Sequence, residues 1–159
     1  QPGMKGYQYT ADGLEHNEIG TPSSHTVDHS TQLDKRLRKL TAYDYGEHWA
    51  DIEGEGDIAV VTWGSTTGPV REALARWREA GNQARLVSVR LLSPVQPEKL
   101  AAALDGVKRV LIVEQSHGAQ FHRYLRAHYD LPGNVRAFHR PGPLPIRPAE
   151  VFGQLANWS

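Results

Sequence analysis

Three groups of residues in this sequence could do chemistry, and each has a plain structural reading beside it. Gly64-Ser65-Thr66-Thr67-Gly68 follows an apolar run and precedes Pro69. Free backbone N–H groups at a helix start attract anions, and glycine permits close approach. The turn is therefore a candidate phosphate- or carboxylate-facing site. The commoner reading is a tight strand-to-helix connection with hydroxyl caps. No Gly-Lys-Ser/Thr follows, so it is not a P-loop, and its glycine spacing is not that of a dinucleotide fingerprint. The second group is Glu114, His117 and His122, at the end of an apolar run and into a helical pattern. Ligands bind beyond the carboxyl ends of parallel strands, so this group is well placed; a network of caps and interface hydrogen bonds is the alternative. The third is Glu15-His16-Asn17-Glu18, between Gly13 and Gly20. Four hydrogen-bonding side chains in a non-helical stretch read as an interface network or as contact with a neighbouring active site.

Other chemistry is excluded by type or spacing. There is no cysteine among the 159 residues, hence no disulfide, thiolate metal site or cysteine nucleophile. His25 and His29 stand four apart around Asp28, but no third ligand lies near and His-Glu-x-x-His is absent, so no metal site is expected. No Gly-x-Ser-x-Gly elbow occurs, which removes a hydrolase triad. Lys35, Arg36, Arg38 and Lys39 form a basic run, yet Asp28 and Asp34 sit beside them. Lys plus Arg equal Asp plus Glu at 18 each. A chain built to grip phosphate backbones needs a basic excess, so no nucleic-acid partner is expected. No apolar run approaches the ~20 residues that cross a bilayer. A cytoplasmic protein with no membrane partner is the expectation. The chain opens Gln1-Pro2-Gly3 without methionine, as a piece of a longer polypeptide would.

The elements that must position these residues fall in two parts. Residues 1–56 are polar, punctuated by turn formers and free of strand-like apolar runs. One helix is predicted from about His29 to Tyr43, with Leu33, Leu37 and Leu40 on a narrow stripe. So small an apolar face cannot hold a helix alone, and the segment reads as a connector arm docking on a larger body. Residues 57–159 alternate between apolar runs and helical patterns. Strands are predicted at Ile58–Trp63, Arg85–Leu92, Val107–Glu114 and Val135–Phe138. Helices are predicted after Pro69, from Pro97, from about Gly118 to Tyr129, and at the end through Val151, Phe152 and Leu155. Apolar strands alternating with helices need cover on both faces, which means a mostly parallel α/β sheet with helices on both sides.

Several blocks in order carry a family resemblance. They are Gly13-Leu14-Glu15-His16-Asn17-Glu18, Pro22-Ser23-Ser24, His29 and Asp34-Lys35-Arg36, then Val60-Val61-Thr62-Trp63-Gly64-Ser65-Thr66. Arg90-Leu91-Leu92-Ser93-Pro94, Val113-Glu114-Gln115 with Gly118-x-Gln120-Phe121, and Phe138-His139-Arg140-Pro141-Gly142-Pro143-Leu144-Pro145 follow. From about Gly13 to the last helix the chain resembles the carboxy-terminal part of the alpha subunit of 2-oxoacid:ferredoxin oxidoreductases, most like the 2-oxoglutarate branch. Ser116-His117 departs from the family pattern, which has asparagine near that turn.

The resemblance implies a domain similar to the carboxy-terminal domain of transketolase, preceded by its connector. It implies a holoenzyme that converts a 2-oxoacid and CoA to an acyl-CoA and CO2 while reducing ferredoxin. Thiamine diphosphate, Mg2+ and an iron–sulfur cluster would serve that reaction from outside this segment. The implied partners are the rest of the alpha subunit, a beta subunit and ferredoxin, in an (alpha-beta)2 assembly. Catalytic residues of the family lie outside this stretch, so none is assigned here. Glu15, His16, Asn17, Glu18, Glu114, His117 and Gln120 remain candidates for an interface or the neighbourhood of an active site. Gly64 to Gly68 remains the candidate anion-facing turn. Pyruvate or broad 2-oxoacid specificity is the alternative, as is a free-standing anion- or CoA-binding α/β module.

Overall fold

Four runs of aliphatic residues that no single face could hide assemble side by side in the computed structural model, which describes residues 3–6 and 11–158. The chain divides into two compact units, 1–44 and 45–159. In the first, β1 (Glu15–His16) pairs antiparallel with β2 (Pro22–Ser23), and α1 runs over Thr26–Thr41. The helix thus begins three residues before the position that periodicity predicts. The two-residue strands are too short to leave a period in the sequence.

In the second unit, β3 (Ala50–Glu53) and β4 (Ile58–Trp63) are followed by a 3-10 turn at Gly64–Thr66 and by α2 (Thr67–Glu79). Then come β5 (Arg85–Val89), α3 (Pro97–Ala103), β6 (Arg109–Glu114), α4 (Gln120–His128), β7 (Asn134–His139) and α5 (Pro148–Ala156). The sheet order is β3-β5-β4-β6-β7. Strands β4 to β7 are parallel, and β3 joins β5 antiparallel at one edge. The fold is therefore the mostly parallel α/β sheet with helices on both faces that the sequence predicts.

The boundary expected at Asp57 is corrected by β3. Trp49 and Ala50 are buried in the core of the second unit, and the unit begins at Tyr45. As an edge strand, β3 hides only one face, so Asp51 and Glu53 break the apolar run that marks a doubly covered strand.

Alternation along each strand builds two cores. Ala59, Val61, Val87, Val110 and Ile112 face Leu100, Phe121 and Leu125 of α3 and α4. Ile58, Val60, Leu86, Leu111 and Val113 face Val70, Leu74 and Trp77 of α2 and Val151 and Leu155 of α5. This division follows from handedness. A right-handed crossover from β4 out to β5 places α2 on one face, and crossovers running the other way, to β6 and β7, place α3 and α4 on the opposite face. The connection after β4 therefore leaves by one face while those after its neighbours leave by the other, and a crevice opens beyond their carboxyl ends. Gly133, at φ +66°, brings the chain into β7 so close to Lys108 that an added Cβ would stand 1.9 Å from its carbonyl oxygen. Among the described residues, no helix is long and apolar enough to cross a membrane.

Candidate functional site

Buried hydroxyls in otherwise aliphatic strands organise the carboxyl ends of β4, β5 and β6. Thr62 is fully buried at the end of β4, and Ser88 nearly so in β5. Thr62 Oγ1 lies 2.8 Å from the Val113 carbonyl of β6, to which it donates, and 2.6 Å from Thr66 Oγ1. Thr66 Oγ1 is also 2.7 Å from the Trp63 carbonyl. Thr67 Oγ1 and Ser88 Oγ are 2.6 Å apart. A hydroxyl left unpaired at such depth would cost about 1–3 kcal/mol, so these contacts pin the turn to three strands. Gly64 takes φ +61°, where a side chain would be strained. Of the candidate anion-facing turn, Gly64, Ser65 and Gly68 are exposed, while Thr66 is buried and Thr67 half-buried. The two threonine hydroxyls thus serve the interior. Ser65 alone offers a hydroxyl to solvent.

Across the crevice stands Glu114, the last residue of β6 and 1% exposed. Its Oε2 accepts from Ser116 Oγ at 2.6 Å and from the Phe121 N–H at 2.8 Å; its Oε1 accepts from the His122 N–H at 2.8 Å. Ser116 Oγ in turn accepts from the Gln120 N–H at 3.1 Å. The first turn of α4 is therefore supplied with acceptors by a carboxylate and a hydroxyl from the strand side, where a helix dipole favours negative charge. To reach this arrangement the chain passes through Ala119 at φ 51°, the one non-glycine residue with positive φ among the described residues. His117 is exposed. Burial, with Arg126 next in weight, holds the His122 imidazole below its ordinary pKa, against the opposing pull of Glu114. His139 Nδ1 lies 3.4 Å from the Ser116 carbonyl.

Beside Glu114 lies a cavity of about 270 Å³ walled by Trp63, the residue before the turn, and by Leu92, Glu114, Gln120, Phe121 and Tyr124, with Gln115 and Ser116 also lining it. Trp63 is 44% exposed and its ring centroid is 5.9 Å from that of Phe121. The Tyr124 hydroxyl donates to the Leu92 carbonyl, and Gln115 Nε2 donates to the Leu144 carbonyl at 3.0 Å. The structure thus brings the Gly64–Gly68 turn, Glu114 and Gln120 to one crevice. Sequence reading misses Trp63, Leu92, Tyr124 and the strained Ala119. Thr62 and Ser88, polar residues inside aliphatic strands, are the signal that could have marked the spot.

Glu15, His16, Asn17 and Glu18 belong to the first unit. Glu15 makes a paired contact with Arg36 of α1, at 3.1 and 2.5 Å, and lies 3.7 Å from His29 Nδ1. The Arg36 guanidinium, helped by the His16 backbone N–H, pulls the Glu15 carboxyl down to about 2. Asn17 closes the β1–β2 turn: its Oδ1 accepts from the N–H groups of Ile19 and Thr21 at 3.2 and 3.0 Å. His16 Nε2 is 3.6 Å from Asp12 Oδ1. Glu18 is exposed.

Residues 56–151 match the family model described as pyruvate:ferredoxin oxidoreductase core domain II. Among curated proteins, 121 residues are 37% identical to the alpha subunit of 2-oxoacid:ferredoxin oxidoreductase 2 of Aeropyrum pernix, covering 73% of this chain and 19% of that one. Another relative is the 2-oxoglutarate oxidoreductase subunit KorA of Mycobacterium tuberculosis, 30% identical over 80% of this chain and 20% of its own length. The chain spans about a fifth of the length of the curated relatives it matches. Among solved structures, a 2-oxoglutarate:ferredoxin oxidoreductase from Magnetococcus marinus with 2-oxoglutarate, coenzyme A and succinyl-CoA bound superposes with a TM-score of 0.74 at 27% identity. That match covers 98% of this chain and 27% of the other. An inactive split-gene transketolase tetramer gives 0.53 at 19% identity over 72% of this chain and 42% of its own, a likeness of fold alone.

Proposed function

The chain belongs to the pyruvate:ferredoxin oxidoreductase core domain II family, and from that premise we propose that it works as a supporting and interface domain of a 2-oxoacid:ferredoxin oxidoreductase alpha subunit. The reaction would be 2-oxoglutarate plus CoA plus oxidised ferredoxin to succinyl-CoA, CO2 and reduced ferredoxin. Beta subunit, ferredoxin and the rest of the alpha subunit would be the partners, in an (alpha-beta)2 enzyme of the cytoplasm. The KorA relative and the 2-oxoglutarate enzyme among the solved structures favour 2-oxoglutarate over pyruvate as substrate.

The observation that carries the supporting role is the state of Glu114. It is the carboxylate at the crevice, and its two oxygens are committed to Ser116, Phe121 and His122. A group so engaged positions a helix; it is not free to take a proton from a substrate. The residues here also do not fit the cofactors of the reaction. An iron–sulfur cluster takes cysteine thiolates, and the chain has none. Among the described residues no three His, Asp or Glu side chains gather as metal ligands. Thiamine diphosphate, Mg2+ and the cluster would accordingly be held by other polypeptide, and no step of the reaction is assigned to a residue of this chain. The turn Gly64–Gly68 and the Glu15–Glu18 stretch are proposed to face neighbouring polypeptide.

Purification of the assembled enzyme tests this reading. The chain is expected to co-purify with an iron–sulfur protein, and the complex to reduce ferredoxin with 2-oxoglutarate and CoA faster than with pyruvate. In that complex Glu114→Ala should lower unfolding stability by about 2 kcal/mol, since charge-assisted hydrogen bonds are lost, and leave KM for 2-oxoglutarate unchanged. A tenfold rise in KM without loss of stability would assign Glu114 to the substrate instead.

A further inference from the structure

A cavity of about 870 Å³ lies away from the crevice, along the outer edge of β3. Ala50, Ile52 and Gly54 line it on one side and Lys99, Ala102 and Ala103 of α3 on the other. Strand β3 ends the sheet order, and among the described residues no strand pairs with its outer edge. Arg90 N–H donates to the Trp49 carbonyl at 2.8 Å. Antiparallel ladders alternate, so with Ala50 opposite Val89 and Asp51 opposite Ser88, the bonded residues are 49, 51 and 53. The N–H and C=O groups of Ala50 and Ile52 therefore point outward, unpaired by the sheet.

Natural edges are blunted by short strands, charged side chains, proline, a bulge or a covering element. Strand β3, Ala-Asp-Ile-Glu, is short but has no proline, and its two carboxylates are taken up by arginines. Its side chains divide cleanly. Asp51 and Glu53 lie on the α2 face, where Arg71 and Arg90 pair with them. Ala50 and Ile52 lie on the α3 face, and Ile52 is 47% exposed. That face carries Arg85, whose guanidinium meets the carbonyls of Ala103 and Asp105, and Lys99, whose ammonium donates to the Gly46 carbonyl at 2.7 Å. The small side chains of Ala102 and Ala103 leave room beside them. An open strand edge beside a helix with small residues is the geometry by which proteins add a peptide to a sheet, backbone giving affinity and alternate side chains giving selectivity.

We propose that the groove between β3 and α3 accepts an extended segment of a partner polypeptide as a sixth strand, with an apolar side chain over Ile52 and carboxylates toward Lys99 and Arg85. A second copy of this chain is a poorer occupant. Antiparallel self-pairing centred on Ile52 would set Asp51 opposite Glu53, and like charges directly opposite destabilise.

The test is peptide titration of the full chain, followed by amide hydrogen exchange. The probe is a capped seven-residue peptide, threonine-glutamate-threonine-valine-threonine-glutamate-threonine, whose valine and glutamates share one face of a strand; its counterpart replaces glutamate by lysine. The acidic peptide is expected to slow exchange at Ala50 and Ile52 at least tenfold and to bind at least tenfold more tightly than the basic one. Ile52→Pro removes an outward N–H without touching the β5 ladder and should abolish binding; Ile52→Glu, which keeps that N–H but sets a like charge beside the peptide's carboxylates, should weaken it tenfold if the proline variant unfolds. The proposal is overturned if millimolar acidic peptide leaves both amides fast, if the two peptides bind alike, or if protection without peptide grows with protein concentration, which would mean self-pairing.

Discussion

Ala119 shows most directly what the crevice demands of single residues. The chain leaving β6 must turn so that the N–H groups of Gln120, Phe121 and His122 aim back at Ser116 and Glu114. The left-handed backbone at Ala119 performs that turn, and in a residue with a Cβ this costs about 1–2 kcal/mol. Glycine would remove the cost but add unfolded-chain entropy worth about 0.5–1 kcal/mol. Ala119→Gly should therefore raise stability by about 0.5–1 kcal/mol, read as a higher urea midpoint at constant slope. A lowered midpoint would mean that the Ala119 methyl, 9% exposed as a residue, contributes more by packing than its backbone costs.

At the scale of elements, the small hairpin and α1 are joined by charge. Glu15 is held ionised in the folded unit, with its pKa pulled from 4.5 to about 2 by Arg36. The unfolded chain binds that proton near pH 4.5 and the folded one only near 2. The stabilisation is thus complete above 4.5 and is lost as pH falls from 4.5 toward 2. A carbon-detected titration of the Glu15 carboxyl should give a midpoint near 2, with the β1–α1 contacts loosening in the same window; a midpoint at 4 or above would deny the Arg36 pairing. The elements differ in how plainly the sequence declares them. Strands β4 and β6 are covered on both faces, so they read as the unbroken runs Ile58-Ala59-Val60-Val61 and Val110-Leu111-Ile112-Val113. Strand β3 hides one face, and its acidic alternation conceals it within a polar arm. The same limit applies to the site. Gly64–Gly68 and Glu114 are recognisable by standing at strand ends. That Thr67 turns inward depends on Ser88, 21 residues away, and the Thr62 hydroxyl that Thr66 meets is itself anchored on Val113, 51 residues from Thr62. Local spacing carries no trace of such partners.

The second unit, which makes up most of the molecule, is a sheet with two closed cores and a crevice whose polar atoms are spent on its own architecture. One of the two helix starts facing that crevice, that of α4, is already supplied by Glu114 and Ser116. At the other, the hydroxyls of Thr66 and Thr67 bond to buried neighbours. The cavity beside Glu114, about 270 Å³, falls just below the 300–1,000 Å³ range of sites that enclose a small molecule. Its walls are chiefly Trp63, Phe121, Tyr124 and Leu92, and none of its lining residues is a cation. CoA, thiamine diphosphate and 2-oxoglutarate are all anions, and an anion gains little in such a place. The chain alone should therefore bind none of the three more tightly than about 1 mM, which is only about 4 kcal/mol, when titrated by calorimetry at low salt. Dissociation constants in the micromolar range for any of them would move chemistry, or at least recognition, into this unit. Binding that appears only in the assembled enzyme, and survives Ser65→Ala here, would leave it the role of support.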